Sequence, residues 1–308
     1  MNRRALFVVA AAGLLGACSG RQDETRVETA KYASEVIREP SGLLVSRKQP
    51  GVLWTHNDSG GGPVLFATTV TGQLLGEFTV EGATAIDWES LAQDEEGHLY
   101  IGDIGNNENK RRDLVVYRVS EPAVSLVAPT PVKGSVPVEV RIPFYYAEQK
   151  AFPPAVAVFD SEALFWAQRP DRPGGTLYLL SKERGTLRTA LYRFDHLDGP
   201  DAQPLVRLGD REVGGDPTRF GGMVTAADTT PDGELLAVLT YHAVFIFRRP
   251  EDSDQYLDKL VNRIDLDQSV TKQCEGIAWL GDALLITNED GVIFHLPYAL
   301  EPREGTFP

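Results

Sequence analysis

Five times along the chain, an apolar strand, a turn rich in Gly, Pro or Asp, and a second apolar strand recur. The segments are SGLLVSRKQPGVLWTHND from Ser41, ESLAQDEEGHLYIGD from Glu89, EALFWAQRPDRPGGTLYLLSK from Glu162, TAADTTPDGELLAVLTY from Thr225 and EGIAWLGDALLITNED from Glu275. Their starts lie 48, 73, 63 and 50 residues apart. Self-similarity at such spacing is the signature of a repeat architecture. A third strand follows each segment (PVLFATT, DLVVYRV, TALYRF, AVFIF, GVIFHL), and a fourth follows four of them (GEFTV, PVEVRI, QPLVRL, KLVNRI). No stretch carries the apolar periodicity of a long amphipathic helix, and Gly, Pro, Asp and Asn punctuate the runs throughout.

Four-stranded units at this spacing predict an all-β chain folded as a β-propeller of five blades, each of four antiparallel strands. A sixth blade fits only if the stretch between Val136 and Val158 holds a degenerate one. A β-sandwich is the alternative architecture, although it needs no repeated module. The fifth unit lacks a good fourth strand, because Tyr298 to Pro308 is short and Pro-rich. A β-like segment at the chain start, Tyr32 to Arg38 (YASEVIR), is therefore expected to complete the last blade and remove its exposed edge.

The chain begins with MNRR and a 13-residue apolar run, Ala5 to Ala17, too short to span a bilayer and proportioned like a signal-peptide core. It ends in Leu15-Gly16-Ala17-Cys18, which resembles the lipobox of bacterial lipoproteins. That likeness implies a signal peptide over residues 1–17, acylation of Cys18, and membrane attachment through its acyl chains, palmitate among them. Residues 18–31 then read as the acylated cysteine and a polar tether, and 32–308 as one propeller domain. Ser19 after the cysteine implies the outer membrane, with the domain facing the periplasm.

Composition narrows the partners. The formal net charge is −14, and loss of residues 1–17 removes Arg3 and Arg4, giving −16. So acidic a chain is repelled by nucleic-acid phosphates, which are excluded as a partner. With Cys18 acylated, Cys274 is the one remaining thiol, and stability must come from an apolar core rather than a disulfide.

In a propeller the start of each innermost strand and the end of the second strand share one face around the central channel. That geometry gathers Ser41, Glu89, Glu162, Thr225 and Glu275 with His56 to Asp58, Asp103, Asn106, Asn107, Lys182, Thr240, Tyr241 and Asn288 to Asp290. The expected binding rim is Asp58, Glu89, Asp103, Glu162, Lys182, Tyr241, Glu275 and Glu289. Calcium takes six to eight oxygen ligands in tolerant geometry, and Glu89, Glu162, Glu275, Asp58 and Asp103 supply the ligand types for Ca2+. The competing reading is that these side chains cap turns, as Asp and Asn commonly do. There is no G-x-S-x-G elbow, Walker loop or G-x-G-x-x-G, and no histidine adjoins Cys274 to activate it. Trp54, Trp88, Trp166 and Trp279 recur beside the inner strands and read as blade packing.

WTHNDSG, DWESLA, LYIGDIGNN, VYRVSEP, SEAL with LYLLSK, VTAADTTPDG and CEGIAW together resemble a family of secreted bacterial propellers described as phytase-like or esterase-like. EGIAW followed by TNEDG is similar, over single blades, to calcium-dependent lactonase propellers. The resemblance implies that Glu89, Glu162 and Glu275 are channel carboxylates. The chain departs from the phytase pattern in lacking a dense Lys/Arg set for several phosphates. The expectation is a lipid-anchored envelope propeller that binds a small molecule or an envelope protein at one channel face. The alternative is a calcium-dependent hydrolase of phosphoesters or lactones at the same mouth.

Overall fold

A run such as LLAVLT has no polar face, so a strand made from it needs cover on both sides. In the computed structural model, which describes residues 28–171, 173–184, 186–215, 221–297 and 300, the inner strands obtain that cover from one another. The described residues open with β1 (Glu28–Lys31) and then build a first blade from β2 (Pro40–Val45), β3 (Val52–Asn57), β4 (Val64–Thr69) and β5 (Leu74–Glu81). The second blade uses β6 (Trp88–Gln93), β7 (His98–Asp103) and β8 (Val115–Ser120), then, after β9 (Val132–Pro137), β10 (Val140–Tyr146). The third is β11 (Ser161–Gln168), β12 (Gly175–Ser181), β13 (Arg188–Arg193) and β14 (Gln203–Glu212). The fourth is β15 (Val224–Thr229), β16 (Leu235–Thr240), β17 (Ala243–Arg248) and β18 (Leu260–Asp265). A single helical turn, α1 (Gln268–Thr271), leads into β19 (Cys274–Leu280), β20 (Ala283–Asn288) and β21 (Val292–Leu296).

Within each blade the strands pair antiparallel in order, and the five inner strands adjoin cyclically as β2, β6, β11, β15, β19 and β2 again. Five apolar clusters fill the five interfaces between neighbouring blades. Tyr100 stacks on Trp166 across the second and third blades, at a ring separation of 5.3 Å. Outer strands have one wet face and alternate accordingly: β5 reads buried and exposed by turns, whereas β6 is buried throughout. All four tryptophans are buried, as expected of blade packing.

The fifth blade is closed by an N-terminal strand. β1 pairs antiparallel with β21, from Glu28 opposite His295 to Lys31 opposite Val292. The closing strand thus lies four residues before the expected Tyr32 to Arg38, inside the segment that reads as a tether. Tyr32 to Arg38 instead turns back into β2: Tyr32 N–H donates to Gly291 O, and Tyr32 and Ile37 sink into the cluster between the fifth and first blades. The stretch from Val136 to Val158 contains no sixth blade. Its strand is shared, with β9 running parallel to β5 as a fifth strand of the first blade and β10 completing the second. β14 repeats the device, its first three residues lying parallel to the end of β10 before it turns onto β13. Residues 1–27, 298–299 and 301–308, and with them the lipobox and Cys18, lie outside the described residues.

Candidate functional site

Every inner strand skips one residue in its pairing with the second strand, and the skipped residues are Gly42, Glu89, Glu162, Thr225 and Glu275. A bulge re-aims the side chain of its extra residue, so one local irregularity repeated around the ring gathers five positions at one channel mouth. In the first blade the counterpart is Gly42, one residue beyond Ser41. Gly42 has φ +71°, and a β-carbon there would stand 2.6 Å from His56 Nε2. The imidazole occupies the space that carboxylates take in other blades. His56 Nδ1 bonds Asn57 O at 3.0 Å, so the proton sits on Nδ1, and Nε2 is buried without a partner. Burial, only partly opposed by the Asn57 carbonyl, holds this ring neutral with its pKa lowered to about 4. Thr225 donates its hydroxyl to Cys274 O at 2.7 Å and ties the fourth blade to the fifth. Three acids remain.

Lys182, from the end of β12, forms an ion pair with Glu162 and donates to Tyr241 Oη at 3.1 Å. Tyr241 donates in turn to Glu275 Oε1 at 2.8 Å. Ser41 Oγ reaches Glu89 Oε2 at 3.3 Å. Glu89, Glu162, Lys182 and Glu275 are all buried, so three carboxyl groups surround one ammonium in a medium that solvates none of them well. Burial first, then the Glu162 and Asp87 charges, push the Glu89 carboxyl well above the usual range. Burial raises Glu162 and Glu275 as well, against the pull of Lys182. Burial would lower Lys182, but Glu162, Tyr241, Glu275 and Glu89 outweigh it and hold the ammonium charged. Glu162 Oε2 and Glu275 Oε2 are buried and accept no hydrogen bond from the described residues while both groups are ionised, although a proton on Glu162 would bond Glu275. An unsatisfied buried oxygen costs about 1–3 kcal/mol, so these two atoms call for a proton, a water or a ligand.

Toward solvent the carboxylates of Asp58, Asp87 and Glu89 converge, with one oxygen from each within 4.8 Å of the others. The loop after β7 makes room for them: a β-carbon at Gly105 would stand 2.6 Å from Glu89 Oε1 and nearer still to Asp87 Oδ2. Burial, followed by repulsion from Asp58 and Asp160, raises Asp87 to about 6. Asp58 also lines an open depression of about 440 Å3 over the first blade, together with Val36, Arg38, Val64, Phe66 and Glu77.

The structure divides the expected rim. Asp58 and Glu89 meet, and are joined by Asp87. Asp103 is fully buried and spent on scaffold, accepting from the Ile86 and Asp87 backbone N–H groups and pairing with Arg111 at 2.8 Å. Glu162, Lys182, Tyr241 and Glu275 form the inner network. Glu289 stands at the periphery, bonded to Gln273 at 2.6 Å. Asp87 escapes a reading based on strand starts because it precedes the bulge by two residues. The signal available was its place in DWE, an acid two positions before another acid. Arg184 is a second addition, reaching Asp160 at 3.4 Å and also Asn107. Cys274 is buried and donates to Thr271 O, and burial pushes its thiol up to about 12, where no thiolate forms at neutral pH.

No family model matches the chain, and no curated protein matches it. Among solved structures it is similar to one described as the structure of the Dos1 propeller, with 13% identity and a TM-score of 0.39. That match covers 85% of this chain and 56% of the other, so the chain spans little more than half the length of that structure.

Proposed function

We propose that this protein is a lipid-anchored propeller of the bacterial envelope that binds a ligand or protein partner at one face of its central channel. The observation that carries this reading is the pair of buried oxygens without donors, Glu162 Oε2 and Glu275 Oε2, set among three acids and a single lysine. A fold that only needed turns capped would not hold these carboxyls in its interior, where their ionisation opposes folding. Attachment through Cys18 rests on the lipobox-like motif, and Cys18→Ser is expected to abolish lipid labelling and release the protein from membranes. The binding reading is tested by melting the soluble domain with divalent cations, primary amines and guanidines in turn. Saturable stabilisation by at least one class, lost in Glu275→Gln, supports it. Equal melting of both proteins with every compound counts against it.

The convergence of Asp58, Asp87 and Glu89 favours a second reading, a calcium-dependent hydrolase of phosphoesters or lactones. These oxygens are the hard donors that calcium takes, and the gap over Gly105 gives them room to close around an ion. Bound calcium would supply a positive charge at the mouth, while Lys182 and Tyr241 would hold protons deeper in the channel. Calorimetric titration of chelator-treated protein tests it. Binding should stabilise the fold by about 2.7 kcal/mol at a hundredfold excess over Kd and should fail in Asp87→Asn. No heat at millimolar calcium removes the hydrolase reading.

A further inference from the structure

Four of the five loops that lead into inner strands place an exposed aliphatic side chain on the channel-mouth face. They are Val36 before β2, Ile86 before β6, Val156 before β11 and Val270 before β19, exposed by 40, 48, 57 and 46%. The corresponding loop before β15 contains residues outside the described set. Single exposed aliphatics are ordinary on a protein surface, but their recurrence around one rim marks an interaction face. The four residues come from four different blades. A small molecule seated at the mouth would not cover them all, whereas a protein surface would.

The charge inside the rim says what such a surface must carry. Three cationic side chains on this face are matched by acids, Arg111 by Asp103, Arg184 by Asp160 and Lys182 by Glu162, while Arg38 lines the depression beside three acids, Glu39, Asp58 and Glu77. Among the described residues, none of Asp58, Asp87 and Glu89 forms an ion pair within 4 Å, although their oxygens crowd together. The adjoining depression of about 440 Å3 is open and has Val64 and Phe66 in its wall beside Asp58, which suits a basic head on an apolar stem.

We propose that this face docks a partner protein through a loop bearing lysine or arginine, its basic head seated at Asp58, Asp87 and Glu89 while apolar neighbours cover Val36, Ile86, Val156 and Val270. The proposal rests on the channel-face binding reading above and names its partner. An acidic centre steers the basic loop, and the aliphatic rim excludes water around the pair.

The test pans a random cyclic-peptide phage library on the immobilised soluble domain in the presence of chelator, so that no metal ion stands in for the basic group. Enriched peptides should carry a lysine or arginine flanked by apolar residues. A selected peptide should lose at least about tenfold in affinity to Asp87→Asn and to the double variant Ile86→Asp/Val156→Asp. It should bind Val127→Asp unchanged; Val127 is 90% exposed in the β8–β9 connection, away from the rim loops. Circular dichroism of each variant separates lost binding from lost fold. Selected peptides without a basic residue, or binding that survives the rim and Asp87 variants, overturn the proposal. If cations or amines stabilise the domain through Glu275 while the library yields no rim binder, the docking proposal falls and the channel-face reading stands.

Discussion

Replacing Lys182 with methionine removes the one cation from a buried set of three carboxyls and keeps an unbranched side chain one atom shorter. The lysine and glutamate side chains of its ion pair are 4 and 6% exposed, so water cannot replace the lost partner. Breaking a buried pair from one side costs about 3–5 kcal/mol, because the remaining charge is left uncompensated. With unfolding entropy of about 2.1 cal/mol/K per residue over roughly 280 residues, that corresponds to a fall in Tm of about 5–8 °C. The loss should depend on pH in a definite direction. With Lys182 gone, the Glu162 pKa, already raised by burial, rises further above its unfolded value, so the variant loses stability with rising pH more steeply than the wild type does. The deficit should therefore be small near about pH 4.5 and full by about pH 8. Lys182→Met/Glu162→Gln removes both charges and should recover most of it. Melting of the protein, followed by circular dichroism across this range, is the assay. A single variant within about 1 °C of wild type at high pH, or one whose loss ignores pH, would refute the electrostatic account.

Three further outcomes concern Gly42, Asp87 and the closing strand β1. Gly42→Ala forces a β-carbon at positive φ against His56 and should cost about 1–3 kcal/mol in urea denaturation. Asp87 is held at about 6 when folded against an ordinary 3.8, so the wild type should lose stability as pH rises through that interval. Asp87→Asn should flatten that slope, by about 1–2 kcal/mol once solvent screening of this partly buried group is allowed for. A chain lacking Glu28 to Lys31 should melt well below the full domain, because β21 then presents an unpaired edge; equal melting temperatures would mean that β1 does not close the ring.

The blades were legible because buried inner strands and half-wet outer strands leave different apolar patterns, each with turn residues between. The acids Glu89, Glu162 and Glu275 were legible because they hold one position in a repeated module. Gly42 was not, since its role lies in the side chain it lacks, and matching first residues pointed to Ser41 instead. Asp87 was hidden because a carboxylate two residues before a bulge reaches the mouth only through the path of a loop. The closing strand was hidden because ETAK has almost no apolar signature: backbone pairing with β21 holds it, and Ala30 alone of its residues packs against the cluster between the fifth and first blades. VKGSVPVEVRI shows one extended run, and nothing in its pattern marks Val138 and Glu139 as the crossing from one blade to the next.

The central claim is that the channel carboxyls are kept for binding, against the interest of the empty fold. Burial raises the Glu89 and Glu275 pKa values, and each unit of that rise means about 1.4 kcal/mol lost on ionisation. Urea denaturation of Glu89→Gln and Glu275→Gln, beside wild type at about pH 8.5 and pH 5, measures this directly. Both variants should be more stable than wild type at the higher pH, with the advantage vanishing at the lower. Variants less stable than wild type at both pH values would contradict the account and make these acids part of the scaffold.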